Sequence, residues 1–319
     1  MIRMEKTETT QPESYIDAQI RKLKSAGVTF EKCTEREARD YLAVKCSACK
    51  VSAYARLFDI HAEGENEGKY MDLDFSQLKY LADIDQRLRE ILLAMSLDIE
   101  HFCKTRLTIE CAVTEADDRQ VMAVYLNDQD DRQRKYIAHE IERSKNDPTN
   151  DHIFEKYGDQ LPLSAFMEVV PFGTIVGLIR YCGTRSDDKE LIADYFVLRS
   201  VQALRNACAH NSCILLDLFP HTDGKKIAPP EMNKALSAIG MSKRIRHRWL
   251  QTVPTARIAS LLYLYSEMVP EGNTRTRRLD ALNEFLVDVE KDSVLPMENP
   301  AIAALTFAKR LMTGFHLLN

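Results

Sequence analysis

The sequence predicts an all-α protein with a single helical core and a C-terminal helical extension. Apolar residues recur at steps of three and four along several long segments, whereas convincing period-2 strand patterns are scarce. Capping residues and prolines fall near the ends of those segments, where helices start and stop. The chain has 319 residues, 45% of them hydrophobic, which is enough to bury a substantial core.

The N-terminal part predicts two short helices. Residues 1–13 are polar and are predicted to be a disordered lead-in, and residues 14–26 form a short amphipathic pattern. Thr34 opens a second helix with Glu37 three residues later, which is the spacing of a capping box. Two glycines indicate a loop over residues 62–69.

The strongest helix is predicted over residues 75–111, where nine apolar residues share one stripe and no proline intervenes. Residues 127–151 are highly charged and predict one solvated helix. A further helical pattern covers 162–181 with an interruption at 171–173, and 188–218 is a long apolar-rich stretch.

A turn-rich link then precedes four predicted helices, near 231–251, 254–268, 275–288 and 299–317. The predicted organisation is a lead-in, a helical core with insertions, and a helical extension that is a candidate for RNA binding, over residues 1–13, 14–219 and 220–319 respectively.

The charge is unevenly distributed along the chain. A net charge of −5 argues against a surface covered throughout with phosphate-binding residues. Residues 220–319 nevertheless hold 14 Lys and Arg against 10 Asp and Glu, whereas the remainder holds 29 against 38. The C-terminal third is therefore the better candidate for contact with a nucleic-acid backbone.

The sequence favours a cytoplasmic protein without a membrane partner. Residues 1–15 are polar and do not resemble a signal peptide, and apolar runs such as 258–265 are far shorter than a membrane span. Eight cysteines are scattered along a long chain, so a disulfide framework is not expected.

Three polar residues stand out within the apolar stretch at 204–211: Arg205, Asn206 and His210. Histidine can exchange a proton near neutral pH, and arginine offers a planar fork for phosphate oxygens, which are the functions that RNA cleavage needs. At about 100° per residue, Arg205 and His210 diverge by about 140° on one helix, whereas Asn206 and His210 share a face. Either the helix ends near His210, or a second copy completes the site.

A structural role for the same residues is the alternative. Arg205 would then pair with an acidic residue such as Asp85 or Glu100, and His210 would cap a helix.

An ordered set of segments resembles the Abi-like (AbiF/AbiD) family of HEPN-domain proteins. The R-x4-H pattern alone is weakly specific, but it follows other family elements in order, and the resemblance covers roughly residues 14–312. The matching segments are YMDLDF, DQRLREIL, IEH, EVVPFG and RNACAH, at 70–75, 85–92, 99–101, 168–173 and 205–210.

This resemblance implies a HEPN-like helical bundle with additional N- and C-terminal helices. It also implies a metal-independent endoribonuclease, without a cofactor, that acts as a homodimer in phage defence or a toxin–antitoxin system. His210 would transfer protons, Arg205 would hold the phosphate and Asn206 would orient the histidine or the RNA. Asp85, Arg89 and Glu100 would support the site by ion pairing.

The resemblance also implies control by a partner, such as a small non-coding RNA. One departure is Cys213, where many relatives have an arginine. It favours the rival interpretation, a non-catalytic HEPN-like protein for RNA binding or assembly.

Two basic clusters are candidates for holding RNA, with Trp249 stacking on a base. They are Lys243, Arg244, Arg246 and Arg248 beside Trp249, and Arg275, Arg277 and Arg278. The alternative for the first cluster is a solvated helix face with the indole in the core. Cys46 and Cys49 form a lone C-x-x-C pair without a second pair at zinc spacing, so we predict no metal site.

Overall fold

The computed structural model describes residues 14–114, 118–219 and 227–318, and omits the side chains of 111–118. The predicted lead-in at 1–13 and most of the link before the last helices therefore lie outside the described residues. The all-α prediction is confirmed: the described chain is helical without β-strands, and its only β pairings are isolated bridges at Thr29–Asp74 and Ile60–Tyr70.

The N-terminal helices are α1 (Tyr15–Ser25), α2 (Glu35–Val44) and α3 (Ala48–Tyr54), followed by the long α4 (Phe75–Thr114). The middle of the chain forms α5 (Asp118–Asp128), α6 (Asp131–Lys145), α7 (Asp151–Tyr157), α8 (Leu163–Val169), α9 (Phe172–Arg185) and α10 (Lys189–Ala209). The C-terminal helices are α11 (Pro230–Ala238), α12 (Lys243–Trp249), α13 (Val253–Met268), α14 (Asn273–Asp292) and α15 (Pro300–Gly314).

Most predicted helix boundaries agree with the structure because local capping chemistry sets them. Thr34 and Glu37 form the predicted capping box at the start of α2. The predicted helix near 231–251 is wrong in one respect, because it is two helices. Gly240 adopts a positive φ of 76° after α11, and Ser242 then caps α12.

The core is built around α4 and α10. Helix α10 packs against α9, α13 and α4, while α4 also packs against α3 and α14. The centre of the apolar stripe of α4 is fully buried, as the 0% exposure of Leu92, Met95 and Ile99 shows, and Val201 of α10 is equally buried. This packing fixes α10, and hence the segment from Arg205 to His210, against the middle of α4. None of the described helices is long and apolar enough to cross a membrane.

Candidate functional site

Helix α10 ends where the polar cluster ends. Asp188 caps its N-terminus by accepting the backbone N–H groups of Glu190 and Leu191. At the other end His210 is the C-cap, and Asn211 follows with a positive φ of 54°. The sequence allows either a helix that ends near His210 or a site completed by a second copy. The helix does end at His210 in this chain.

Arg205 is held between α10 and α4 by loose contacts. Its Nε lies 3.7 Å from Glu100 Oε2, and one terminal N–H donates to Asn206 Oδ1 at 3.4 Å. Among the described residues, Arg205 Nε and Glu100 Oε2 are buried atoms without a hydrogen-bond partner. The Arg205 side chain is 31% exposed, so part of the guanidinium still faces solvent.

Glu100 has a pKa raised above its ordinary value. Burial is the main cause, and the neighbouring cations Arg205 and Lys104 oppose it. Lys104 in turn bonds Glu168 at 3.0 Å. Sequence analysis did not single out Lys104, although it lies one helical turn after Glu100. These contacts bring the IEH segment of α4, the end of α8 and the RNACAH segment of α10 together.

His210 stands apart from this cluster. Its side chain is exposed, and within the described chain its ring has no hydrogen bond or ion pair with Arg205, Asn206 or Glu100. The structure therefore brings the predicted phosphate-binding residue and the amide together, but leaves the predicted proton-transfer residue at the open end of the helix.

Asp85 and Arg89 act on the chain that follows His210. They form a buried ion pair on α4, with 0% and 6% residue exposure. Asp85 Oδ1 accepts the backbone N–H groups of Ile214 and Leu215 at 2.9 and 2.8 Å, and Arg89 donates to the carbonyl of Ser212 at 3.3 Å. These two residues therefore fix residues 212–215, and within the described chain neither forms a hydrogen bond or ion pair with Arg205.

The departure from the family pattern at Cys213 lies on the inner side of this segment. Cys213 is partly buried beside Tyr54, whose pKa is raised mainly by burial and further by the Cys213 thiol. The position at which the family resemblance implies an arginine is thus directed towards α3 in this chain.

The first basic cluster is divided between two faces of α12. Arg244 and Arg248 line a recess of about 680 Å³ together with Arg310 of α15, which sequence analysis did not include. Arg246 is engaged elsewhere, with a 3.1 Å bond to Asn233 Oδ1. Lys243, at the start of α12, is exposed.

The prediction that Trp249 stacks on a base does not fit its position. The residue is only 8% exposed, and its ring stacks on Phe307 with centroids 5.2 Å apart and planes 14° apart. The guanidinium of Arg248 lies over the same indole at 4.8 Å. Since α15 packs beside α12 here, the indole belongs to the core, as the alternative interpretation had it.

The second basic cluster is partly committed to tertiary contacts. Arg275 donates to the carbonyls of Ser266 and Val269 at the end of α13. Arg278 Nε lies 3.2 Å from Asp98 of α4, and Arg277 is exposed. Of the three arginines in this cluster, only Arg277 therefore presents a free cation at the surface.

The C-x-x-C pair spans the start of α3. Ser47 caps that helix, Cys46 is partly buried with a pKa raised by burial, and Cys49 is exposed. Across residues 14–114, 118–219 and 227–318, no group of three or more His, Cys, Asp or Glu side chains is arranged to hold a metal ion.

Comparison with protein-family models identifies a family for this chain. A family model described as Abi-like protein matches residues 43–215, which is more than half of the chain. The matched range runs from the end of α2 to the segment held by Asp85, and it includes Glu100 and residues 205–210. No curated protein and no solved structure matches the chain.

Proposed function

The chain belongs to the Abi-like protein family, and from this membership we propose that it is a metal-independent HEPN endoribonuclease that acts in abortive infection. Such a protein would stop phage propagation by cutting RNA in the infected cell. The proposal includes a cytoplasmic location, a homodimeric active form and a toxin–antitoxin mode of control.

The loose contacts and partial exposure of Arg205 are the observation that best supports this proposal. A purely structural arginine normally makes close, bidentate bonds to its carboxylate, whereas Arg205 stands 3.7 Å from Glu100 with its Nε unpaired. Asp85 and Arg89 differ from this pair in exposure, since both are almost fully buried and Asp85 also accepts two backbone N–H groups. A guanidinium held loosely and 31% exposed keeps N–H donors for the oxygens of an RNA phosphate.

The proposed reaction is an internal transesterification. The ribose 2′-oxygen loses its proton and attacks the adjacent phosphorus, a bond from phosphorus to the 2′-oxygen forms, and the bond to the 5′-oxygen breaks. The 5′-oxygen leaves with a proton, so the products are a 2′,3′-cyclic phosphate and a 5′-hydroxyl. His210 transfers protons, Arg205 stabilises the charge on the phosphate oxygens, and Asn206 orients the histidine or the RNA.

A two-fold symmetric dimer would complete this site. Arg205 and His210 diverge by about 140° around α10, and the His210 ring has no contact with the Arg205 cluster. In the proposed dimer, His210 of the partner subunit approaches the phosphate that Arg205 holds. Asp85 and Arg89 then serve as positioning residues, because they fix the chain that follows His210.

Control by a small non-coding RNA is part of the proposal, since an unrestrained ribonuclease would harm its own cell. The recess lined by Arg244, Arg248 and Arg310 is the best-supported place for that RNA, because it combines three guanidiniums and none of its described lining residues is a carboxylate.

A non-catalytic RNA-binding or assembly protein is the second candidate. It is favoured by Cys213, which stands where the family resemblance implies an arginine, and by the lack of a described hydrogen bond or ion pair between His210 and the Arg205 cluster. In that case Arg205 would bind phosphate without turnover.

The test is RNA cutting by the full chain, freed of nucleic acid with high salt and incubated with labelled single-stranded RNA in EDTA. We expect cutting by the wild type with 2′,3′-cyclic phosphate ends, and a loss of about a hundred- to ten-thousand-fold in His210→Ala. His152→Ala is the matched control, because His152 is an exposed histidine on α7. RNA binding without cutting by wild type would instead support the second candidate.

A further inference from the structure

A groove on the side of α10 away from Arg205 has the character of an anion site. It encloses about 590 Å³ between α10, α13 and the start of α11, a volume in the range of pockets that take small ligands. Among the described residues, two charged side chains line it, Arg199 and Arg257, and no carboxylate does. Phe196, Ser200 and Pro229 supply part of the remaining wall.

Arg257 gives the stronger indication of an anion site. It is partly buried, and in the described chain it has neither an ion pair nor a hydrogen bond. Burial lowers the pKa of Arg257 below the ordinary arginine value. The titratable group that opposes this shift is the thiol of Cys208, not a carboxylate. A desolvated guanidinium without a counter-ion is unfavourable, so this position favours an external anion.

Arg199 adds a second positive charge beside an aromatic surface. It is exposed and lies 5.9 Å from the ring centroid of Tyr195, and Arg180 of α9 lies 5.3 Å from the same ring. No carboxylate of the described chain pairs with Arg199 or Arg180. Phe196, next to Tyr195, is a large apolar residue that is 42% exposed in the groove. Cations beside an exposed aromatic ring are the pattern by which proteins hold single-stranded nucleic acid.

The groove lies on the same side of α10 as His210. Seven residues separate Ala203, in the groove wall, from His210, so the two positions differ by about 20° around the helix and about 10 Å along it. Arg205 lies about 160° from Ala203 on the same count. A strand that passes His210 can therefore continue along α10 into the groove.

We propose that this groove binds a nucleotide of single-stranded RNA next to the one cut at His210, with Arg199 and Arg257 on its phosphate and Phe196 against its base. The proposal rests on the endoribonuclease function above and extends it to a second contact with the substrate.

RNA is favoured over a second copy of the chain as occupant by the composition of the groove. A protein partner would have to supply a carboxylate to two guanidiniums and fill the recess with apolar side chains. One nucleotide supplies the anion and the stacking surface in a single unit, and the groove leads towards the proposed proton-transfer residue.

The test is the affinity of a short, fluorescently labelled single-stranded RNA of mixed sequence, measured by anisotropy over a range of KCl concentrations. All variants carry His210→Ala so that the probe stays intact. We expect Arg199→Gln and Arg257→Gln each to weaken binding about tenfold and to reduce the slope of log affinity against log salt by about 0.7. Phe196→Ala should weaken binding about tenfold without a change in slope, because it removes stacking but no charge.

Arg132→Gln is the matched control, since Arg132 is an exposed arginine on α6 without a described partner. Binding by Arg199→Gln and Phe196→Ala that equals this control would overturn the proposal. Both residues are exposed, so these variants remain informative even if Arg257→Gln fails to fold. Loss of dimerisation by light scattering, with RNA affinity unchanged, would assign the groove to a second copy and also overturn the proposal.

The two proposals fail in different ways. If the chain with His210 intact cuts RNA but the groove variants bind RNA like the control, the nuclease proposal stands and the groove proposal is refuted. Absence of cutting, together with weaker binding and smaller salt slopes in the groove variants, would leave the groove as an RNA site and remove the nuclease.

Discussion

The buried pair of Asp85 and Arg89 should be the contact on which the chain after His210 depends. Asp85→Asn keeps the shape of the side chain but leaves the guanidinium of Arg89, a residue only 6% exposed, without its counter-ion. Loss of one partner of a buried ion pair costs about 3–5 kcal/mol. We expect the free energy of unfolding to fall by that amount, measured by urea unfolding followed by circular dichroism.

A double variant separates the ion pair from the rest of the site. In Asp85→Asn with Arg89→Met no buried charge is left unpaired. We therefore expect the free energy of unfolding of the double variant to fall by about 2 kcal/mol less than the sum of the falls in the two single variants. Asp288→Asn is the control, because it breaks the pair of Arg87 and Asp288, whose side chains are 51% and 50% exposed. That loss should be below about 1 kcal/mol.

The local consequence can be measured at single amides. The N–H groups of Ile214 and Leu215 donate to Asp85, so their hydrogen exchange should quicken in Asp85→Asn more than that of α4. The reasoning would be refuted if the single and double variants were additive within about 0.5 kcal/mol, or if these amides exchanged as in wild type.

Two further predictions concern α4 and α9. Burial raises the pKa of Glu100, so its ionised form destabilises the fold, and the cost appears as pH rises through that pKa. Glu100→Gln should therefore have a higher melting temperature than wild type at neutral pH, and this difference should shrink towards about pH 4. An equal difference in melting temperature at the two pH values would contradict this prediction. On α9, Gly177→Ala should add about 0.5–1 kcal/mol, because nothing lies within 4 Å of its Cβ. Gly183→Ala should lower the free energy of unfolding by about 1–3 kcal/mol, because its Cβ would lie 2.9 Å from Leu191 Cβ. Urea unfolding in which both glycine variants shift in the same direction would contradict these two predictions.

Elements with strong local signals could be predicted from the sequence. The capping box at Thr34 and the unbroken stripe of α4 decide their helices through contacts within a few residues. The break between α11 and α12 has a local signal that the predicted helix over 231–251 does not use, because Gly240 adopts a positive φ and Ser242 caps α12. Helix α3 is seven residues long, too short for periodicity to reveal.

The partners of the site residues depended on distant packing. The sequence left Asp85 and Glu100 as equal candidates for pairing with Arg205, and the structure selects Glu100. Asp85 instead accepts backbone N–H groups, which carry no sequence signature. Trp249 was likewise ambiguous, since its neighbour Phe307 lies on a helix far along the chain.

The separation of Arg205 from His210 gives the two candidate functions a common physical basis. A phosphate held by Arg205 on its own α10 lies about 140° around the helix from the His210 of the same chain. In the proposed mechanism a single chain would therefore bind RNA without cutting it, as the non-catalytic candidate would. Cutting would require His210 of the partner subunit, so dimerisation itself would decide between binding and turnover. The ion pair of Asp85 and Arg89 then matters because it presents the chain after His210 in one fixed conformation to that partner.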